Sequence, residues 1–164
     1  NNAAMQYNRF VDEYDEEHMR NIWDINLGGY WRMMKLAFPY LRADRGKIVN
    51  IGSVHGKRPT CFDAGYAMTK GGVRMLTREA ALEMAKYGIT VNCVSLGGCA
   101  IEFKTGHPPF HNHRPPEVRN ENIQVPFRLV QPEDVGHLVL FLCSREADAI
   151  TGDCIRVDCG QMLV

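Results

Sequence analysis

The sequence predicts an α/β fold, half of a doubly wound parallel sheet, on three observations. Segments of helical period alternate with short strand-like runs along the chain. Those runs are rich in β-branched residues and read as buried on both faces. Three helical segments are present to cover them, and a helix linking two parallel strands makes a right-handed crossover.

The first helical segment spans about 16 to 41. Met19, Ile22, Trp23, Leu27, Tyr30, Trp31, Met34 and Phe38 recur in it at three- and four-residue steps, an apolar surface wider than one stripe. Gly28 and Gly29 interrupt it. Arg45-Gly46 leads into a strand at 47–51 (KIVNI). A second helix runs from about 64 to 86, carrying Ala67, Val73, Met75, Leu76, Ala80, Leu82 and Met84, with Gly88 as its stop. Residues 89–95 (ITVNCVS) form the next strand. From 97 to 124 the chain turns irregular, with Pro108, Pro109, Pro115 and Pro116. A stretch of that length without periodicity is typical of a functional lid or binding loop. Gln131-Pro132-Glu133-Asp134 opens a third helix, with Pro132 suited to the first turn and acids near the N-terminus. Val135, Leu138, Val139, Leu142 and Cys143 continue it, and the last strand is 154–158.

A length of 164 residues with 45% apolar content is enough for one packed core, so a single domain is expected. Nineteen basic residues balance 19 acidic ones, which gives no electrostatic reason for nucleic acid or an anionic membrane as partner. No apolar run approaches the roughly 18 residues of a membrane span, and the first residues lack the basic and apolar regions of a signal peptide. A soluble cytoplasmic protein is the expectation. None of the six cysteines forms a C-x-x-C pair, and they read as reduced, buried or incidental thiols. His107, His111 and His113 have no thiol or carboxylate nearby to complete a metal site, so a substrate-facing loop is the reading there.

The chemistry concentrates in Ser53, Tyr66 and Lys70. Tyr66 and Lys70 lie four apart at the start of a helix, on one face. An ammonium beside a phenol favours the phenolate and would lower the tyrosine pKa from its reference of about 10, as general acid–base catalysis needs. Ser53 follows a buried strand, at the carboxyl edge where open α/β sheets bind ligands. Its hydroxyl is suited to orienting a substrate carbonyl.

These residues stand in a wider pattern. Asn1-Asn2-Ala3-Ala4, Asn26 within Trp23-Asp24-Ile25-Asn26-Leu27, 46–53 (GKIVNIGS), Tyr66-Ala67-Met68-Thr69-Lys70, Val91-Asn92, Pro132-Glu133-Asp134-Val135, Ile150-Thr151-Gly152 and Val157-Asp158 occur in this order. The sequence resembles the short-chain dehydrogenase/reductase family over essentially its whole length, including the Asn26–Ser53 and Ser53–Tyr66 intervals. The resemblance implies the second half of that family's Rossmann-like sheet and an oxidoreductase that interconverts an alcohol and a carbonyl with NAD or NADP. It makes Tyr66 the proton donor or acceptor, and has Lys70 hold the nicotinamide ribose and depress the Tyr66 pKa. Ser53 would steady the reacting oxygen, and Asn26 would hold a water linking Lys70 to solvent. Asn2, Ala3, Gly97 and Ile101, with Tyr66 and Lys70, would lie against the cofactor. A small alcohol or carbonyl compound is the implied substrate. Subunits would pair as a homodimer or homotetramer through the helices carrying Asn26 and Tyr66.

The family's glycine-rich phosphate turn falls upstream of Asn1, so the chain is expected to be the catalytic portion, N-terminally truncated. An incomplete gene and a short natural product are the two explanations. The second carries an alternative function, a non-catalytic interaction module. With three strands of the expected sheet lacking, a central strand is expected to be a bare edge. Four positions depart from the family pattern: Ala4 and Cys159 replace glycines, Leu96 a proline, and Ile101 a threonine whose place Thr105 is a candidate to fill.

Overall fold

The computed structural model describes residues 1–100 and 126–164. Three parallel strands, β1 (Lys47–Ile51), β2 (Thr90–Leu96) and β3 (Cys154–Val157), lie in the order β1-β2-β3. The register runs from Lys47↔Thr90 to Ile51↔Val94 and from Cys93↔Cys154 to Leu96↔Val157. Four α-helices accompany them: α1 (Glu16–Trp23), α2 (Gly29–Asp44), α3 (Ala64–Met84) and α4 (Pro132–Cys143).

The expected first helix is divided. Asp15 caps α1, its carboxylate accepting from the His18 N–H at 2.8 Å. A π-helical turn at Asp24–Gly28 then separates α1 from α2. This turn contains the four residues before Gly28 and the first of the glycine pair that breaks the apolar period. A single π turn inserts an extra residue and rotates the following face. It leaves Ile22 and Asn26 buried while Trp23 and Ile25 stay exposed.

One face of the sheet is covered by α2 and α3, where Met34, Ala80 and Ala81 pack on Ile48, Ile89 and Val91. On the other face Leu142 of α4 and Ala147 meet Val94, with Val49, Ile51 and Val157 around them. The strand β2 is buried from Thr90 to Ser95, on both faces of the sheet. Full burial of each of its valines is worth about 1.5–3 kcal/mol. The polar members of the strands are paired: Asn50 donates to Thr77 Oγ1 at 2.9 Å, and Asn92 donates to the Ile150 carbonyl at 2.7 Å. Thr151 Oγ1 accepts from the Val91 N–H at 3.1 Å, so the Val91-Asn92 and Ile150-Thr151-Gly152 motifs form one unit.

The outer edge of β1 is not bare at its carboxyl end. The Asn1 amino group donates to the Val49 carbonyl at 2.8 Å, and the Ile51 N–H donates to the Asn1 carbonyl at 2.9 Å, the spacing of a parallel ladder. All six cysteines are free thiols, and Cys93 faces Cys154 across the β2–β3 register.

Cys159 follows β3 with φ 49°, a left-handed backbone that suits glycine, the residue the family pattern has there. Cys159→Gly is therefore expected to stabilise the protein by about 1 kcal/mol, read as a higher urea midpoint with an unchanged slope. An unmoved or lower midpoint refutes the strain assigned to this residue.

Candidate active site

The site is built at the carboxyl end of β1. The strand ends at Ile51, and Ser53 caps a 3₁₀ turn at Val54–Gly56, its Oγ accepting from the His55 N–H at 3.1 Å. This turn lies directly on α3. A Cβ on Gly56 would come within 2.7 Å of the Lys70 carbonyl oxygen, so only glycine lets the serine turn and the helix approach this closely. The buried stripe of α3 includes Thr69, Val73, Thr77, Ala80 and Ala81, and it carries Lys70 with it. Ser53, Tyr66 and Lys70 thus converge, with the Ser53 side chain acting on the Tyr66 phenol and Lys70 Nζ 5.6 Å from the centre of its ring.

The electrostatics differ from the expectation. The Tyr66 pKa lies above its ordinary value: burial raises it most, the bond from Ser53 pulls it down, and the Asp63 carboxylate raises it further. Lys70 does not lower it, because its ammonium is turned to the end of β1. Lys70 Nζ donates to the Ile51 carbonyl at 2.8 Å and to the Tyr30 hydroxyl at 3.2 Å, and sits 5.6 Å from the centre of the Tyr66 ring. Burial without a carboxylate partner among the described residues lowers the Lys70 pKa to about 8.

Asn26 is fully buried, with Thr69 of α3 beside it. Its amide is taken up by the Met5 backbone, accepting from the N–H at 2.7 Å and donating to the carbonyl at 2.8 Å. Its remaining contact is Thr69 Oγ1 at 3.2 Å, one residue from Lys70. Asn26 therefore fixes the N-terminal segment against α3 and makes no direct contact with Lys70.

Asn2 and Ala3 are exposed, and Asn2 borders a cavity of about 540 Å³ with Val49, Ile51, Leu96 and Cys99. Ser53, Tyr66 and Lys70 do not line that cavity. Gly97 is wedged against Asp158, where a Cβ would meet the Asp158 side chain at 2.7 Å, so its lack of a side chain serves packing. Ile101, Thr105, His107, His111 and His113 lie outside the described residues. The residue that sequence reasoning left out of the site is Tyr30, which reads as one more apolar step of a helix. The available signal was that a buried tyrosine needs a partner for its hydroxyl.

A hydroxyl, a phenol and an ammonium gathered at the rim of a parallel sheet define a proton-transfer site of an α/β enzyme fold. The sequence profile of a family described as enoyl-(acyl carrier protein) reductase matches residues 1–162. The chain is 34% identical to an L-fucose dehydrogenase of Oryctolagus cuniculus over 143 residues, 87% of this chain and 50% of that protein. It is 32% identical to an acetoacetyl-CoA reductase of Shinella zoogloeoides over 169 residues, which cover all of this chain and 67% of the relative. Among solved structures, a 3-oxoacyl-[acyl-carrier protein] reductase from Brucella melitensis with bound NAD superposes with a TM-score of 0.82 at 30% identity, over 98% of this chain and 60% of that one. The chain belongs to the short-chain dehydrogenase/reductase family. It spans between half and two thirds of the length of these relatives.

Proposed function

We propose that this chain carries the proton-transfer part of an oxidoreductase that interconverts an alcohol and a carbonyl with NAD or NADP. The convergence of Ser53, Tyr66 and Lys70 at the carboxyl end of β1 is the observation that carries this reading. Tyr66, protonated at neutral pH, is the general acid in carbonyl reduction and takes the proton back in alcohol oxidation. Ser53 orients the reacting oxygen beside it. The nicotinamide, when bound, supplies or accepts the hydride. The residues present fit that group: an ammonium has three N–H donors, and Ile51 and Tyr30 take two of those of Lys70 among the described residues. One remains for a ribose hydroxyl, and the exposed Asn2 and Ala3 flank the same sheet edge. A small alcohol or carbonyl compound is the substrate class. No helix among the described residues is long and apolar enough to cross a membrane, and a cytoplasmic location belongs to the same reading.

The deciding experiment mixes the protein with NADH, NADPH or their oxidised forms and a panel of carbonyls and alcohols. A nicotinamide absorbance change with at least one pair is expected. No change with any pair, together with capture of longer relatives in a pull-down, would favour the interaction module.

The helices bearing Asn26 and Tyr66 are assigned to self-association. Trp31, Leu36 and Tyr40 of α2 and Met75 and Leu82 of α3 are all at least half exposed. A groove between the two helices is lined by Trp31, Phe38, Leu76 and Met84. Apolar surface of this extent normally marks an interface, and a second copy of the chain offers the matching face. Light scattering at micromolar concentration should give a dimer or tetramer mass; a monomer there removes the assignment.

A further inference from the structure

Tyr30 and Lys70 are both about fully buried, at 2% exposure, and they meet at one backbone carbonyl. The Tyr30 hydroxyl donates to the Ile51 oxygen at 2.9 Å, and Lys70 Nζ donates to the same oxygen at 2.8 Å. The third side of this triangle is the 3.2 Å contact from Lys70 Nζ to the Tyr30 oxygen. Because the phenol proton is directed at Ile51, the oxygen can only accept from Lys70. Burial holds the Tyr30 phenol far above its ordinary pKa, so it stays neutral and acts as a fixed dipole.

We propose that Tyr30 is a positioning residue for the reaction read above: with the Ile51 carbonyl it holds the Lys70 ammonium at the end of β1, beside Tyr66. Asn26 makes no direct contact with Lys70, its side-chain amide being bonded to the Met5 backbone. The other titratable groups around Lys70 do not provide it. Tyr66 on the same helix faces the ammonium with its ring. Cys93 on β2 is kept protonated, first by its bond with the Cys154 thiol and then by burial. The Asn1 amino group at the β1 edge repels Lys70. A hydrogen bond to the charged form favours that form, so loss of the Tyr30 oxygen destabilises the ammonium.

The test follows the Lys70 side chain by heteronuclear NMR on protein carrying isotope-labelled lysine, with the signal assigned by its loss in Lys70→Arg. Tyr30→Phe keeps the ring packed among Val73, Cys93 and Leu76. Its Lys70 midpoint is expected to fall by about half a pH unit or more from that of the unaltered chain. An unchanged midpoint in a folded Tyr30→Phe protein overturns the proposal. If that variant does not fold, the unaltered chain decides. The ring carbon bearing the Tyr30 hydroxyl should shift with the same midpoint as Lys70, and a signal indifferent to Lys70 overturns the proposal. Neither measurement needs turnover, so failure of the oxidoreductase reading would be seen separately, in the absorbance assay. In an active preparation, the alkaline fall-off set by loss of the Lys70 proton should move to lower pH in Tyr30→Phe, with KM held within about twofold. Equal loss of rate at every pH would reduce Tyr30 to a packing role.

Discussion

Tyr66→Phe is expected to lower turnover by about a thousandfold, the middle of the range that a positioned proton donor contributes. Phenylalanine keeps the ring and removes only the phenol oxygen beside Ser53. Nucleotide affinity should stay within about threefold, because the loss falls on the transition state and not on ground-state binding. Initial rates and a fluorescence titration with NADH or NADPH separate the two. A variant that retains turnover would end the assignment of Tyr66 as the acid. The direction of the pKa shift adds a pH signature. With burial raising the Tyr66 pKa, the protonated form prevails at neutral pH. Carbonyl reduction should then be flat through neutrality and decline on the alkaline side, while alcohol oxidation climbs over the same alkaline range.

The parts of this fold that were legible in the sequence are those set by short-range pattern. The β-branched run at 47–51 announced a strand, and Pro132 with its neighbouring acids marked the start of α4. The serine at a strand end and the tyrosine–lysine spacing pointed to three residues that the fold brings together at the carboxyl end of β1. What was not legible depends on which partner a side chain finds across the fold. Nothing in the spacing of Tyr66 and Lys70 says that the ammonium will turn toward Ile51, 19 residues back in sequence. Likewise the Asn26 amide is captured by a backbone segment 21 residues earlier, through a π turn that a 3.6-residue period does not anticipate. The packing of Gly97 was hidden for a related reason, since Asp158, which fills the space beside it, arrives from the far end of the chain.

Replacing Lys70 with methionine should make the protein more stable while removing its activity. Lys70 is 2% exposed, and its pKa falls from 10.5 to about 8, chiefly because burial penalises the ammonium. At 1.36 kcal/mol for each pKa unit, the charged form costs about 3 kcal/mol at neutral pH. Methionine has a similar volume and no charge to desolvate, and the Tyr30 hydroxyl keeps its bond to Ile51. After the loss of the two ammonium bonds, a net gain of about 2 kcal/mol remains. The sign with pH follows from linkage. The folded pKa is depressed, so between about 8 and 10.5 the unfolded chain binds more protons, and the Lys70 contribution improves as pH rises. The advantage of Lys70→Met is therefore full below pH 8 and vanishes above pH 10.5. Urea denaturation of both proteins across that range measures the difference and cancels the other titrating groups. A variant no more stable at neutral pH, or an advantage that does not shrink toward high pH, would contradict the assigned cost. A residue kept at such a cost, where a neutral one would fold better, is explained by chemistry the charge performs, which in the proposed reading is offering its remaining N–H to a ribose hydroxyl beside Tyr66.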